Sequence, residues 1–363
     1  MGYTEESLVS ELSQEGLENR CIFITGGNSG FGYTAARILL KAKAEVIIGC
    51  RSLEHAETAC EKLKQESGSD RISYLLVDLT DPDSIRNCVE EIRSKQLHIQ
   101  VLVNNAGVSM VHTYIEAKTG IELTCQTNYI GVVELTDRLI PLLLQEENPR
   151  CVFVSSYTYA KNPVKRVKSG VYYGEANDLM TEKDDHPHVN QESVSNETKE
   201  SAGDETQQNP PHTTTPTATV QIDPNRLWVR RDEYKRFASY FRSKYIVTSY
   251  ALYLSRHQPS LKTVICDPGV AATNIARELG FIGKLYALPF FQLFAPTAKG
   301  ACTIAFAAGS GKVAAMESGV MLKNCRRKEL IRQIRDVKEQ EAIRKVTMDV
   351  IQRSEERRVG KEC

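Results

Sequence analysis

The sequence predicts an α/β domain in which helices cover both faces of one doubly wound parallel sheet. Short apolar runs alternate with longer amphipathic stretches, and glycine-containing turns follow the first, fourth and sixth runs. Strand–helix–strand repeats of this kind form right-handed crossovers between parallel strands. The first four strands are predicted at Cys21–Thr25, Glu45–Gly49, Ile72–Leu79 and Gln100–Asn104.

The same alternation continues through the second half of the chain, so one sheet accounts for the whole pattern. Further helices are predicted at Asn128–Gln145, Tyr240–Arg256 and Thr297–Ala308, with strands at Cys151–Ser155 and Lys262–Cys266. The domain then consists of two parts, residues 19–180 and 223–352, preceded by an N-terminal extension over residues 1–18.

Two segments depart from this pattern. Residues 181–222 are polar, acidic and rich in Thr, Pro and Gln, with too little apolar surface to offset the entropy of ordering, so we predict a disordered insertion. The final segment RSEERRVGKEC resembles a translated sequencing adapter, and the alternative is a genuine basic tail. We therefore assign no function to residues 353–363.

Composition argues against several classes of function. The 46 Lys and Arg residues balance 46 Asp and Glu residues, so no overall field attracts nucleic acid or an anionic membrane. The ten cysteines lack CxxC pairs and metal-ligand spacing, which favours a reducing compartment and no metal site. The polar N-terminus and the lack of a long apolar run predict neither secretion nor a membrane span, and hence a cytoplasmic protein.

The segment Thr25-Gly26-Gly27-Asn28-Ser29-Gly30-Phe31-Gly32 directly follows the first strand and opens a helix. Glycines allow a tight turn and a close approach to a pyrophosphate, whose charge the N–H groups at the helix N-terminus stabilise. Such a turn is weak evidence alone, because many tight turns need glycine where φ is positive. However, Asn104-Asn105-Ala106-Gly107 and Asp267-Pro268-Gly269 follow other strands, at the sheet edge where doubly wound proteins bind ligands.

In their order along the chain, these motifs resemble the short-chain dehydrogenase/reductase family over roughly residues 19–325. Asp78, Asn128, Ser155-Ser156, Tyr240 with Lys244, and PGVAAT ending at Thr273 complete the series. The resemblance implies a Rossmann-type fold, a nicotinamide cofactor, hydride transfer between a carbonyl and an alcohol carbon, and homo-oligomers. It implies a cofactor site formed by Thr25, Gly26, Asn28, Ser29, Gly30, Phe31, Gly32, Asp78, Asn105, Ala106, Gly107, Lys244, Pro268, Gly269 and Thr273.

Tyr240 and Lys244 form the acid/base pair that the resemblance implies. A free tyrosine has a pKa near about 10 and is a poor proton-transfer partner at neutral pH. A lysine four residues later lies on the same helix face, and its ammonium should lower the pKa of the phenol. By resemblance, Lys244 also holds the nicotinamide ribose and Ser156 hydrogen-bonds the substrate oxygen. Asn128 would position a water that leads protons from Lys244 to solvent.

Each catalytic assignment has an alternative. Tyr157 and Lys161 have the same spacing, but they follow Ser156 too closely for a helix to return a tyrosine over the site, which favours Tyr240. Tyr and Lys at helical spacing are usually a surface pair, and Ser-Ser after a strand is usually a turn or a cap. Ser155 is the alternative to Ser156, which family position favours. The alternative for Asn128 is a structural role inside a helix.

The end of the second strand predicts the cofactor. Sites that prefer NAD usually place an acidic residue there to accept from the adenosine ribose hydroxyls. Here that position is Cys50, followed by Arg51, whose planar donors match a 2′-phosphate. NADP(H) is therefore favoured over NAD(H), and a solvated arginine is the alternative interpretation.

The segment after Thr273, NIARELGFIGKLYALPFFQLFAP, is apolar but too interrupted to span a membrane. In the family the equivalent region caps the substrate. The resemblance is to the retinol-dehydrogenase-like and hydroxysteroid-dehydrogenase-like branches of the family. It implies a small lipophilic carbonyl or alcohol as the substrate. The alternatives for this segment are an ordinary buried helix and peripheral docking on an intracellular membrane.

A second class of function follows from the long connection between Ser156 and Tyr240. It contains the 181–222 insertion and is several times longer than is usual in the family, although loop closure costs grow only logarithmically with length. The alternative to an enzyme is a catalytically weak nucleotide-binding scaffold that binds partners through the acidic insertion. The intact Ser156, Tyr240, Lys244 and Asn128 set favours the enzyme.

Overall fold

The computed structural model describes residues 3–109, 113–161, 164–167, 170–173, 227–269 and 297–362. Its strands are β1 (Cys21–Thr25), β2 (Glu45–Cys50), β3 (Ile72–Leu76), β4 (Val101–Asn104), β5 (Arg150–Val154), β6 (Val164–Val167), β7 (Gly170–Tyr173), β8 (Lys262–Asp267), β9 (Val320–Lys323) and β10 (Arg326–Lys328). Its helices are α1 (Glu5–Ser13), α2 (Gly30–Lys41), α3 (Leu53–Ser67), α4 (Pro82–Ser94), α5 (Leu123–Cys125), α6 (Gly131–Leu143), α7 (Arg236–His257), α8 (Thr297–Gly309) and α9 (Val337–Glu362).

Eight strands form the main sheet in the order β10-β9-β8-β5-β4-β1-β2-β3. Every neighbouring pair is parallel except β9 with β10. The chain builds outward from β1 through β2 to β3, and then returns to the other side of β1 with β4. The predicted doubly wound α/β fold is therefore confirmed, with an antiparallel edge strand that the sequence analysis did not predict.

The two faces of the sheet are covered by separate hydrophobic clusters. Phe23 of β1 packs in the cluster that contains Tyr129 and Tyr250, on the side of α6, α7 and α9. Its neighbours Ile22 and Ile24 belong to the cluster on the side of α1, α2 and α8. Because side chains alternate along a strand, a strand apolar at every position is buried on both faces.

Several boundaries differ from the predictions. β3 ends at Leu76 rather than Leu79, because the Asp78 carboxylate accepts the backbone N–H of Thr80 at 2.8 Å and turns the chain. Asn128 does not begin a regular helix; it lies inside a π-helical turn, Gln126–Ile130, that precedes α6. β2 extends by one residue to Cys50, so Arg51 lies immediately beyond the strand.

The structure adds elements at both ends of the domain. Within the predicted N-terminal extension, α1 begins at a capping box between Thr4 and Ser7 and packs its buried Leu8 and Leu12 in the cluster with α2. At the other end, α9 continues to residue 362, and Arg138 of α6 pairs with Glu355 within the segment that resembles an adapter. β6 pairs with β7 in a separate hairpin.

Three predicted features lie outside the described residues. They are the 181–222 insertion, Thr273, and the apolar segment that follows Thr273.

Candidate active site

The carboxyl ends of β1 and β4 meet where the strand order reverses. β1 pairs with β2 on one side and with β4 on the other, so the turns after β1 and β4 lie next to each other. In doubly wound sheets this position forms a crevice between the diverging connections. The turns that the sequence analysis singled out, residues 25–32 and 104–107, lie there.

The turn after β1 depends on glycine at two positions. Gly26 has φ +66°, and a Cβ there would stand 2.9 Å from the Ala106 Cα. A Cβ on Gly32 would stand 2.4 Å from the Asn105 Nδ2 and 2.5 Å from the Gly26 carbonyl oxygen. These distances are too short for any side chain, so glycine is required for the two turns to approach each other.

Thr25 and Asn105 hold the two turns together through hydrogen bonds. The Thr25 hydroxyl accepts the backbone N–H of Asn105 and that of Ala106, both at 3.1 Å. The Asn105 amide donates to the carbonyl oxygens of Thr25 at 2.9 Å and Gly26 at 3.2 Å. The sequence analysis assigned both residues to the cofactor site, and their observed contacts shape the backbone of that site.

The N-terminus of α2 points its first backbone N–H groups toward this crevice. Gly30 opens the helix with φ +57°, and the side chain of the preceding Ser29 makes no capping bond to the first turn. Uncapped N–H groups at a helix N-terminus attract anions. Phe31 packs against α8, where a Cβ on Gly300 would stand 2.1 Å from its ring.

The end of β2 is joined to the same turn. The backbone N–H of Asn28 hydrogen-bonds the Cys50 thiol, and burial raises the pKa of this thiol to about 12. Cys50 is therefore a neutral residue at neutral pH in the position where NAD-preferring sites place a carboxylate. Arg51 follows it and is exposed.

Asp78 follows β3 and is partly buried. One carboxylate oxygen, Oδ1, accepts from both the backbone N–H and the hydroxyl of Thr80, at 2.8 and 2.7 Å. The backbone N–H of Asp78 donates to the Ser84 hydroxyl at 2.9 Å. These bonds fix the start of the connection to α4 and hold the carboxylate at the carboxyl edge of the sheet.

Tyr240 and Ser156 are brought together from distant parts of the chain. Ser156 follows β5, Tyr240 lies in the first turns of α7, and their side chains lie close enough for Ser156 to influence the pKa of Tyr240. The alternative serine, Ser155, contacts the Thr248 hydroxyl at 2.6 Å instead. The alternative tyrosine, Tyr157, is 40% exposed at the start of a 3-10 helix. The structure thus places Ser156 with Tyr240.

The pKa of Tyr240 differs from the expectation. Burial raises the pKa of Tyr240 to about 12, the nearby Ser156 hydroxyl acts in the opposite direction, and the negative charge of Asp267 raises it further. The Lys244 Nζ stands 5.8 Å from the centre of the Tyr240 ring and donates to the Val154 carbonyl oxygen at 2.9 Å. The predicted lowering of the phenol pKa by Lys244 is not seen in this arrangement, because burial raises that pKa and Lys244 is not among the groups that influence it.

Lys244 is itself buried, at 6% exposure, and burial lowers its pKa to about 8. An ammonium removed from water is stabilised by only the Val154 carbonyl among the contacts described above. A lysine with this pKa exchanges protons near neutral pH. The prediction that Lys244 lies on the same helix face as Tyr240 is met by the one-turn spacing along α7.

Asn128 is buried beside Gly107 and Lys244. Its Oδ1 accepts the Val108 N–H at 2.8 Å, and its Nδ2 donates to the Val108 carbonyl at 2.9 Å and to the Ser243 hydroxyl at 3.0 Å. A Cβ on Gly107 would stand 3.1 Å from the Asn128 Oδ1 and 3.7 Å from the Lys244 Nζ. Asn128 therefore links the turn after β4 to α7, whichever further role it has.

The turn after β8 completes the crevice. Asp267 is the last residue of β8, and its Oδ1 accepts the backbone N–H of Gly269 at 2.9 Å. Gly269 has φ +77°, which favours glycine at this position. The Pro268 carbonyl lies beside α8, 2.6 Å from where a Cβ on Gly300 would stand. Pro268 and Gly269 thus lie at the carboxyl edge with the other predicted cofactor residues.

The sequence analysis missed three residues that organise this site: Glu122, Ser239 and Ser243. Glu122 is fully buried, accepts the backbone N–H groups of Thr124 and Cys125, and accepts from the Ser239 hydroxyl next to Tyr240. Ser243 binds Asn128, as described above. The sequence signals for these residues are weak. Glu122 is an acidic residue before a short helix, and Ser239 and Ser243 lie four residues apart on either side of Tyr240.

The doubly wound sheet, with a glycine-lined turn where its strand order reverses, defines the Rossmann class of α/β proteins. A family model described as short chain dehydrogenase matches residues 20–172, so this part of the chain is similar to the short-chain dehydrogenase/reductase family. Human dehydrogenase/reductase SDR family member 12 is 40% identical over 141 residues, which are 39% of this chain and 44% of that protein. The chain thus spans less than two thirds of this relative, as of other curated relatives that it matches.

Solved structures resemble most of the chain, among them the two that follow. An uncharacterized protein from Mycobacterium paratuberculosis has a TM-score of 0.62 at 20% identity, covering 96% of this chain and 97% of that chain. The NADP complex of RhlG from Pseudomonas aeruginosa has a TM-score of 0.54 at 18% identity, covering 85% of this chain and 95% of that chain. At these identities the two similarities establish the fold alone.

Membrane-spanning helices and metal clusters are both missing from the described residues. Among them, no helix is both long and apolar enough to cross a membrane. Within the same part of the chain, no group of three or more His, Cys, Asp or Glu side chains is arranged to hold a metal ion.

Proposed function

We propose that the chain is an NADP(H)-dependent oxidoreductase that interconverts a carbonyl and an alcohol on a small lipophilic substrate. The observation that supports it most is that Tyr240 and Ser156, from distant parts of the chain, lie close enough to interact at the carboxyl edge of the sheet, with Lys244 one helical turn away. The similarity of residues 20–172 to short chain dehydrogenases supports the same reaction class. Tyr240 is the acid/base, and Ser156 hydrogen-bonds the reacting oxygen.

The crevice fits a dinucleotide. Side chains are excluded at Gly26 and Gly32, and the uncapped start of α2 suits a pyrophosphate. The nicotinamide, when bound, supplies or accepts the hydride. The residues that would hold the cofactor are Thr25, Gly26, Asn28, Ser29, Gly30, Phe31, Gly32, Asp78, Asn105, Ala106, Gly107, Lys244, Pro268, Gly269 and Thr273, with Arg51 at a 2′-phosphate.

The ionisation states of Tyr240 and Lys244 suggest how a proton would reach the substrate oxygen in the reductive direction. Because burial keeps the pKa of Tyr240 at about 12, the phenol is protonated at neutral pH and can donate its proton to a carbonyl oxygen. Lys244, with a pKa near about 8, can restore that proton. Asn128 would position the water through which Lys244 exchanges protons with solvent. Its bonds to Val108 and Ser243 keep its side chain beside Lys244.

The cofactor assignment is tested by fluorescence titration of the full chain with NADPH and with NADH. We expect NADPH to bind at least about tenfold more tightly, because one charge-assisted contact to a phosphate is worth about 1.5–3 kcal/mol. Arg51→Gln should remove this preference, and Lys62→Gln, which changes an exposed lysine on α3, should keep it. Equal binding of both nucleotides would refute the role of Arg51. Binding of neither to a folded chain would refute both the proposed function and the nucleotide-binding scaffold.

A further inference from the structure

Glu122 is a buried carboxylate that the proposed reaction does not use. It stands at the N-cap of α5, which continues through the π-helical turn into α6, and its side chain is fully buried. Oε1 accepts the backbone N–H of Thr124 at 2.9 Å and the hydroxyl of the same residue at 2.8 Å. Oε2 accepts the backbone N–H of Cys125 at 3.1 Å and the hydroxyl of Ser239 on α7. The carboxylate therefore joins the start of α5 to α7.

Glutamate is an unusual residue at an N-cap. The preferred residues are Ser, Thr, Asp and Asn, whose short side chains reach the N–H groups of the first turn. Glu122 makes such bonds too, and its additional methylene group lets the same carboxylate reach Ser239 on a different helix. Four donor groups converge on its two oxygens, which suits a carboxylate, because an amide would turn its NH2 group toward some of them. The residue type thus fits a link between two helices better than a cap alone.

The start of α7 depends on such a link. Lys235 stands at the N-cap of α7, where its side chain gives the first turn no capping bond, and helix ends without a cap are prone to fraying. Tyr240 is the fifth residue of α7 and directly follows Ser239, which is fully buried together with its bond to Glu122. The acid/base residue thus lies next to the point at which this end of α7 is fixed.

A second hydrogen bond fixes the other side of Tyr240. The Ser243 hydroxyl donates to the Tyr240 carbonyl oxygen at 2.8 Å and accepts from the Asn128 amide at 3.0 Å. Asn128 and Glu122 belong to the same helical segment, which runs from the N-cap of α5 through the π-helical turn. Tyr240 is therefore flanked by two links to that segment, one through Ser239 and one through Ser243.

We propose that Glu122 and Ser239 are positioning residues for Tyr240. Their hydrogen bond holds the first turns of α7 against α5 and so fixes where the Tyr240 hydroxyl stands relative to Ser156. Proton transfer requires a donor and an acceptor within hydrogen-bond reach, so a displaced hydroxyl slows it. The effect on turnover rests on the proposed function, whereas the anchoring of α7 does not.

The test uses the full chain with Ser239→Ala, Glu122→Asp and the double variant. Ser239→Ala removes only the hydroxyl. Glu122→Asp keeps a good N-cap for α5 but shortens the side chain, so that the carboxylate no longer reaches Ser239. Ser255→Ala is the matched control, because its hydroxyl also lies on α7 but donates within that helix, to the Leu252 carbonyl oxygen at 2.8 Å. Circular dichroism shows that each variant is folded before it is assayed.

Hydrogen–deuterium exchange followed by mass spectrometry measures the anchoring of α7. We expect exchange in residues 236–244 to become faster on the order of tenfold in both single variants, because a hydrogen bond to a charged group is lost. The double variant should match them, since all three lack the same bond. Ser255→Ala should leave exchange in residues 236–244 unchanged. Unchanged exchange there in both single variants would overturn the proposal.

Single-turnover reduction measures the consequence for Tyr240. An excess of the folded chain, saturated with NADPH, is mixed with a long-chain aliphatic aldehyde, retinal or a 3-ketosteroid, whichever the wild type reduces fastest. We expect the transfer rate to fall on the order of tenfold in Ser239→Ala and in Glu122→Asp, with NADPH affinity within about twofold of the wild type. The double variant should be no slower than the slower single variant, and Ser255→Ala should match the wild type.

A contact with only a structural role would make exchange faster and lower the urea midpoint without slowing transfer in the folded chain, and this result would overturn the proposal. Losses of transfer rate that add up in the double variant would also overturn it, because the two residues would then act separately. The predicted order of exchange, with no reduction of any of these carbonyl compounds by the wild type, would refute only the proposed function.

Discussion

The two halves of the candidate site are built in different ways. The nucleotide half consists of backbone turns after β1 and β4, held by Thr25 and Asn105 around positions where only glycine fits. The acid/base half consists of the side chains of Ser156, Tyr240 and Lys244, which α7 brings to the end of β5. A phosphate site needs space and N–H groups, whereas proton transfer needs ionisable groups whose pKa values burial has shifted.

This difference has a consequence for stability. In the nucleotide half, hydrogen bonds of Thr25 and Asn105 join the turns after β1 and β4, which stabilises them. The acid/base half buries an ammonium and a phenol, and burial shifts the pKa of Lys244 down and that of Tyr240 up. Such shifts measure unfavourable burial of the charged forms. The two halves should therefore respond separately to substitution.

The largest expected effect is on turnover. Tyr240→Phe should lower kcat on the order of 10²- to 10⁴-fold, because it removes the proton donor, while NADPH affinity stays near that of the wild type. The matched control is Tyr157→Phe, which should retain turnover. Tyr157 is exposed and, like Tyr240, precedes a lysine by four residues. Steady-state kinetics and fluorescence titration measure the two quantities. Loss of NADPH affinity in Tyr240→Phe would mean that the halves are not separable.

The next effect is on cofactor binding. Gly26→Ala would force a Cβ to 2.9 Å from the Ala106 Cα, so we expect NADPH affinity to fall more than about tenfold and stability to fall by about 1–3 kcal/mol. Gly68→Ala is the control, because Gly68 has nearly the same φ, +69°, with nothing within 4 Å of its Cβ position. It should cost about 1 kcal/mol of backbone strain and leave binding unchanged. Equal NADPH affinities in the two variants would contradict the close approach of the turns.

The last expected effect is on stability as a function of pH, with turnover and cofactor binding left aside. The pKa of Lys244 is about 8 in the folded chain and 10.5 unfolded, so the unfolded chain binds more protons between these values and stability rises with pH there. Below about pH 8 the full free-energy cost of burying the Lys244 ammonium is present. Lys244→Met should therefore be more stable than the wild type at pH 7, by about 2–3 kcal/mol, with the difference vanishing above about pH 10.5. Urea unfolding at pH 7 and pH 10.5 measures it. A variant less stable than the wild type at pH 7 would show that the Val154 contact outweighs burial.

The nucleotide half could be predicted from sequence because its signal is local. Strand, glycine turn and helix are consecutive from Cys21 to Lys41, and glycine has a direct conformational meaning at Gly26 and Gly30. The parallel sheet followed from the same kind of local alternation. The short edge strands β9 and β10 did not, because three or four residues give too little periodicity to distinguish them from a loop.

The acid/base half could be predicted only in part. The spacing of Tyr240 and Lys244 indicated one helix face, but the direction of the Tyr240 pKa depends on burial and on Asp267, which are tertiary properties. The hydrogen bonds between Ser239 and Glu122 and between Asn128 and Ser243 likewise join residues far apart in the sequence. No local pattern specifies which buried partner a polar side chain will find.

The most direct test of hydride transfer uses NADPH deuterated at C4, prepared as both the 4R and the 4S isotopologue. The full chain is incubated with each, together with a long-chain aliphatic aldehyde, retinal or a 3-ketosteroid, and the alcohol product is analysed by mass spectrometry. We predict one deuterium on the carbinol carbon from one of the two isotopologues, and none above background with Tyr240→Phe. NADPH that binds the folded chain but transfers deuterium to none of these carbonyl compounds would contradict hydride transfer at this site.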